Sequence, residues 1–104
     1  MQSKNKAAIA ALRKQIDAVD RRITASLAER WRLVRKLLPL KIPGRITDKA
    51  RERLVIGNAR KNAAAAGLDP KLAEAVFKTI IAGFTTGQKK LSTGAALKTG
   101  RRAD

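Results

Sequence analysis

The sequence predicts an all-α protein of three helices per chain, one of them very long, assembled as an intertwined helical homodimer. Three observations carry this. The run from Ala7 to about Leu38 holds neither Gly nor Pro, and its apolar residues recur three or four apart. Helix stop and start signals then stand at the right places for two further helices. No segment alternates apolar and polar residues as a half-buried strand would.

The first helix is read from Ile9, Leu12, Ile16, Val19, Ile23, Leu27, Val34 and Leu38, set in a background of Ala, Leu, Arg and Lys that favours helix. Pro39 and the Pro43-Gly44 pair break it. A second helix is expected from about Asp48 to Ala66, with Thr47 or Asp48 as N-cap and Gly67 as the stop. Gly57, inside it, lowers the helix propensity locally. Asp69-Pro70 opens a third helix, as an N-cap followed by proline in the first turn. Leu72, Val76, Ile80 and Phe84 form its stripe, and it is expected to end near Leu91. Residues 1–6 are expected to fray, 7–91 to form the helical domain, and 92–104 to be a disordered basic tail.

Length turns this into an argument for a dimer. A helix of about 32 residues spans about 48 Å at 1.5 Å per residue. A compact chain of about 100 residues has a radius of gyration near 13 Å, so it is roughly 34 Å across. The first helix overshoots its own domain, and its apolar seam needs a second chain to cover it.

Composition narrows the chemistry. The chain has 104 residues, with no Cys and no His, which excludes disulfides, thiolate chemistry, the usual zinc sets and His-dependent triads. Neither metal nor cofactor is expected. The opening MQSKNKAAIAAL lacks the apolar run of a signal peptide, and no stretch reaches membrane-spanning length, so a cytoplasmic protein without membrane contact is expected. Lys and Arg number 24 against 8 Asp and Glu, a net charge of +16 that points to an anionic partner. Nucleic acid is disfavoured as that partner. The basic residues are spread along the whole chain, and Trp31, Phe77 and Phe84 are the only aromatics available for stacking.

A small anion fits better. The 3.5-residue seam of the first helix passes through Arg13, Ile16, Asp20, Ile23, Leu27, Arg30, Val34, Leu37 and Lys41. Charges in a packed seam must be paired or must serve a ligand. Arg13 could pair with Asp17 or Asp20, and Arg30 with Glu29 or Glu52. Against that, Arg13, Arg30 and Lys41 together describe an interhelical pocket that welcomes an anion.

The stretch LRKQIDAVDRRITASLAERWRLVRKLLPLK resembles the first helix of the all-helical chorismate mutases, a family taken here with the related isochorismate pyruvate lyases. Asp48-Lys49-Ala50-Arg51-Glu52 resembles the opening of their second helix, and Gly67-Leu68-Asp69-Pro70 resembles the following turn. Phe77-Lys78-Thr79-Ile80-Ile81, followed by Gln88, is similar to the third helix. The resemblance implies that Arg30 and Arg13 hold the substrate carboxylates, Arg13 coming from the partner subunit. It implies Lys41 and Gln88 as donors to the ether oxygen, Glu52 as acceptor for the ring hydroxyl, and Asp48 and Arg51 as lining groups that assist binding.

The implied substrate is a small dianion, chorismate or isochorismate, in sites shared between two chains. Chorismate rearranges to prephenate in a pericyclic step with no proton to move, so a chain without His or Cys suffices. Two departures keep isochorismate pyruvate lyase as the alternative. The segment between Lys41 and Asp48 is short and Pro39 lies just before it, and Phe84 stands where many mutases carry a small polar residue. The Arg51-Glu52 pair favours the mutase. The reading from another class is a basic helical nucleic-acid-binding module.

Overall fold

The computed structural model describes residues 2–41 and 46–102. These form three α-helices and a short 3-10 turn, with no strand among the described residues: α1 (Gln2–Leu37), the turn (Leu38–Leu40), α2 (Lys49–Ala66) and α3 (Pro70–Arg102). Two compact units result, α1 and the remainder from Leu38 onward. No described helix is long and apolar enough to cross a membrane.

At 36 residues, α1 is the very long first helix the sequence predicts. It begins at Gln2 rather than Ala7, because nothing in Gln2–Lys6 breaks a helix. It ends at Leu37 because Pro39 has no N–H to donate and its ring clashes with the carbonyl one turn back. The chain tightens there into the 3-10 turn, closed by the Lys41 N–H donating to the Leu38 carbonyl at 3.2 Å. The Pro43-Gly44 pair lies outside the described residues.

Both ends of α2 are closed. Asp48 is the N-cap, with extended backbone and a side-chain oxygen that accepts the Arg51 N–H at 3.1 Å. At the other end Gly67 adopts φ 77°, a left-handed conformation that costs a side-chain-bearing residue energy. Its N–H donates to the Ala64 carbonyl, and the Leu68 N–H donates to the Ala63 carbonyl at 2.8 Å, the paired bonds of a Schellman turn. Asp69 then caps α3, accepting the Lys71 N–H at 2.9 Å, with Pro70 in the first turn where its missing donor is harmless.

The two helices pack through small residues. Ala59 and Ala63 of α2 and Ala73 of α3 are buried, and side chains this short permit close approach of the axes. Glu74 adds a polar strut. It accepts from Arg60 across the hairpin at 2.8 Å and from Lys78 along α3 at 3.0 Å. Hydrogen bonds from Lys78 and then Arg60 hold its carboxyl below the ordinary carboxylate range.

The end of α3 departs from expectation. Its helical backbone continues past Leu91 to Arg102: no proline follows Pro70, and Ala, Leu, Lys and Arg favour helix there, although Gly94 and Gly100 oppose it.

On α1 the situation is reversed. Ile9, Leu12, Ile16, Val19, Ile23, Leu33 and Leu37 remain between 42% and 58% exposed. No large side chain is fully buried among the described residues. Completing the burial of a Leu, Ile or Val contributes up to about 1.5–3 kcal/mol. Several such side chains on one helix are a substantial stabilisation that this chain alone leaves unused.

Candidate functional site

The expected site residues fall into two groups. Lys41, Asp48, Arg51, Glu52, Phe84 and Gln88 belong to the unit that contains the α2–α3 hairpin, while Arg13 and Arg30 lie on α1.

Within the first group, Lys41 and Gln88 meet. Gln88 is 6% exposed, the one buried polar side chain among the described residues, and a buried amide must be hydrogen-bonded to be tolerated. Its Oε1 accepts from Lys41 Nζ at 2.9 Å. Lys41 also donates to the Ile46 carbonyl at 3.1 Å. No described buried side-chain polar atom lacks a partner. The 3-10 turn after Leu37 is what allows this: Pro39 ends α1, and the lysine that follows folds over toward α3 instead of continuing the helix.

The consequence is a pair of oriented donors. With Oε1 turned to the ammonium, the Gln88 amide presents its NH2 on the opposite side. An ammonium has three N–H groups, and the two acceptors account for two of them. The Ile46 carbonyl could not be foreseen, since a backbone acceptor carries no residue-type signal.

The first turn of α2 holds the next three. Asp48 is exposed and occupied as the N-cap, so its side chain serves the helix directly. Arg51 is exposed, and Glu52 is half-buried with Lys49 at 3.8 Å. Of the expected site residues, only Glu52 also lines the cleft of about 370 Å³ between α2 and α3, with Lys49, Arg53, Ile56, Glu74, Lys78 and Ile81. Lys41 and Gln88 are not in that cleft. Phe84 is half-buried on α3, one helical turn before Gln88.

On α1, Arg30 is half-buried and Arg13 is exposed. Among the described residues Arg13 forms no ion pair with Asp17 or Asp20, so that alternative for Arg13 finds no support. The helix is continuous from Gln2 to Leu37, which separates the two arginines by about 25 Å along its axis.

Comparison with protein families finds that chorismate mutase type II matches this chain over residues 12–89. No curated protein and no solved structure matches.

Proposed function

The chain belongs to the chorismate mutase type II family, and on that premise we propose that it rearranges chorismate to prephenate. The observation that carries the proposal is the Lys41–Gln88 pair at 2.9 Å, two donors held on one another by a long-range contact.

The reaction breaks the ether C–O bond while a C–C bond forms, with no proton transferred and no electron gained or lost. Negative charge grows on the ether oxygen as the C–O bond lengthens. Oriented donors at that oxygen stabilise the transition state more than the ground state. Lys41 and Gln88 are assigned that task. Arg30 of one chain and Arg13 of the other bind the two carboxylates, for which the planar guanidinium fork is suited. Holding both carboxylates keeps the substrate in its folded, reactive shape. Glu52 accepts from the ring hydroxyl, Asp48 and Arg51 complete the lining, and Phe84 forms an apolar wall. The net charge of +16 draws a dianion toward the protein.

The proposal includes a cytoplasmic homodimer in which the α1 helices cover one another. The exposed apolar residues of α1 support it, because a second copy offers them a matching seam. It also takes residues 7–91 as the catalytic domain, with the segment after Leu91 dispensable for turnover.

Phe84 supports the second reading, isochorismate pyruvate lyase, since the family resemblance implies a small polar residue at this position in many mutases, where this chain has an aromatic ring. The deciding experiment is to incubate the protein separately with chorismate and isochorismate and identify products by chromatography and mass. Prephenate from chorismate is the expected result. Pyruvate released from isochorismate, with chorismate left unchanged, would transfer the assignment to the lyase. Inertness toward both would reject both readings.

A further inference from the structure

Cations scattered along the α1 sequence converge once the helix is formed. At about 100° per residue, Ile9, Leu12, Ile16, Val19 and Ile23 gather on one side. Lys14, Arg21, Arg32 and Lys36 fall on the opposite side, flanked by Arg22 and Arg35, and all six are exposed. Asp17 and Glu29 are the carboxylates that border this face. Between the cations lie Ala18, Ala25 and Ala28, side chains too short to hold another surface away. From Lys14 to Lys36 the strip runs about 33 Å, close to ten base steps of a duplex at 3.4 Å each.

We propose that this outer face of α1 docks double-stranded DNA through its phosphates, without reading sequence. A linear row of Lys and Arg complements a row of phosphates, and neutralising them releases counterions. The face has no aromatic or large apolar anchor of the kind that dominates protein–protein interfaces, which argues against an acidic protein. Lack of stacking groups argues against a single strand. B-form DNA has a major groove wide enough for a helix, whereas that of double-stranded RNA is deep and narrow. A helix that lies on a membrane sinks its apolar side, and here that side is the one assigned to a second copy of the chain. The basic and apolar faces lie on opposite sides of one helix, so DNA binding and catalysis can succeed or fail independently.

The test uses the full chain and a labelled mixed-sequence duplex of about 20 base pairs, titrated between about 50 and 200 mM salt. The variant combining Lys14→Gln, Arg21→Gln, Arg22→Gln and Arg32→Gln is expected to weaken binding by more than about tenfold at low salt. It should also flatten the slope of log affinity against log salt by up to about 3.6, about 0.9 for each cation removed. A control combining Lys61→Gln, Lys71→Gln, Lys89→Gln and Lys90→Gln removes the same charge from the hairpin and should stay within about threefold of wild type. Far-UV circular dichroism checks that helicity is equal. Should the combined variant lose helicity, Arg21→Gln and Arg32→Gln singly, read against Lys61→Gln, carry the same comparison. Four results would overturn the proposal: no binding to the duplex; equal losses in the two variant sets; equally tight binding to double-stranded RNA; or equally tight binding to polyglutamate or anionic lipid vesicles.

Discussion

In the α2–α3 hairpin each helix end at the turn is closed by its own residues, by the Schellman turn at Gly67 and the cap at Asp69. Ala59, Ala63 and Ala73 are buried between the helices, and Arg60 and Lys78 converge on Glu74. α1 is stopped by Pro39 and the 3-10 turn that follows, and a long row of its Ile, Leu and Val residues stays exposed. Both regions use good helix formers, so propensity does not separate them. The hairpin finds its packing partner a short turn away in the same chain. The apolar residues of α1 stay largely exposed, and the arginines assigned to substrate lie on the same helix; in the proposed dimer a second copy covers that row. On the proposed dimer, stability and catalysis are tied to one assembly step.

If that contrast is right, the largest effect comes from α1. Ile16→Asp combined with Ile23→Asp removes two apolar side chains from each chain, four per dimer, and puts carboxylates in the seam. At about 1.5 kcal/mol per side chain, the loss is at least about 6 kcal/mol per dimer, weakening assembly by more than about 10⁴. Sedimentation should show monomers and turnover should vanish. A dimer that persists with normal turnover would mean that the apolar row is only solvated surface.

Gln88→Ala comes next and probes the hairpin side of the site. Removal of one preorganised donor costs about 2.7–4 kcal/mol in barrier, a fall of about 10² to 10³ in turnover. Loss of Lys41's acceptor adds to this. The dimer should be unaffected. A decrease under about fivefold would remove Gln88 from the machinery.

Gly67→Ala should act on stability alone. Nothing lies within 4 Å of where its Cβ would stand, so the penalty is the φ of 77° itself, about 1–2 kcal/mol. Urea unfolding would register it as a lower midpoint with unchanged slope. A raised midpoint would show that the turn tolerates other conformations.

The smallest effect concerns Glu74. Its folded pKa is lowered, so its contribution is complete above the ordinary carboxylate value and is lost as pH falls through the lowered one. Wild type should therefore lose stability on acidification more steeply than Glu74→Gln. Parallel acid profiles would mean that the Arg60 and Lys78 contacts carry no net stabilisation.

How much of this was legible in the sequence follows from the range of each interaction. Caps and stops are local, so Gly67 and Asp69-Pro70 could be placed from residue type alone and stand where expected, while of the two N-cap candidates for α2, Thr47 and Asp48, it is Asp48 that caps. The far ends of α1 and α3 lie beyond the expected bounds: residues 2–6 and 92–102 look like loose ends, yet neither holds a proline, and helix continues through them despite Gly94 and Gly100. Lys41 and Gln88 could each be named through family resemblance. Their meeting could not be foreseen, because it depends on the fold that brings α3 against the turn before α2. The Arg60–Glu74 strut was missed for the same reason, whereas Glu74–Lys78, four residues apart on one helix, was open to reading.

In the proposed assembly each site is built from two chains, since Arg13 and Arg30 are about 25 Å apart on one continuous helix and cannot both reach one small diacid. Complementation tests it directly. Arg13→Ala and Arg30→Ala should each be nearly inactive alone. Unfolded together and refolded in equal amounts, they should yield mixed dimers as about half of the population. Each mixed dimer carries one intact site and one doubly damaged site, so about a quarter of wild-type turnover should return. No recovery in a mixture shown to contain mixed dimers would contradict the shared site and remove Arg13 from it.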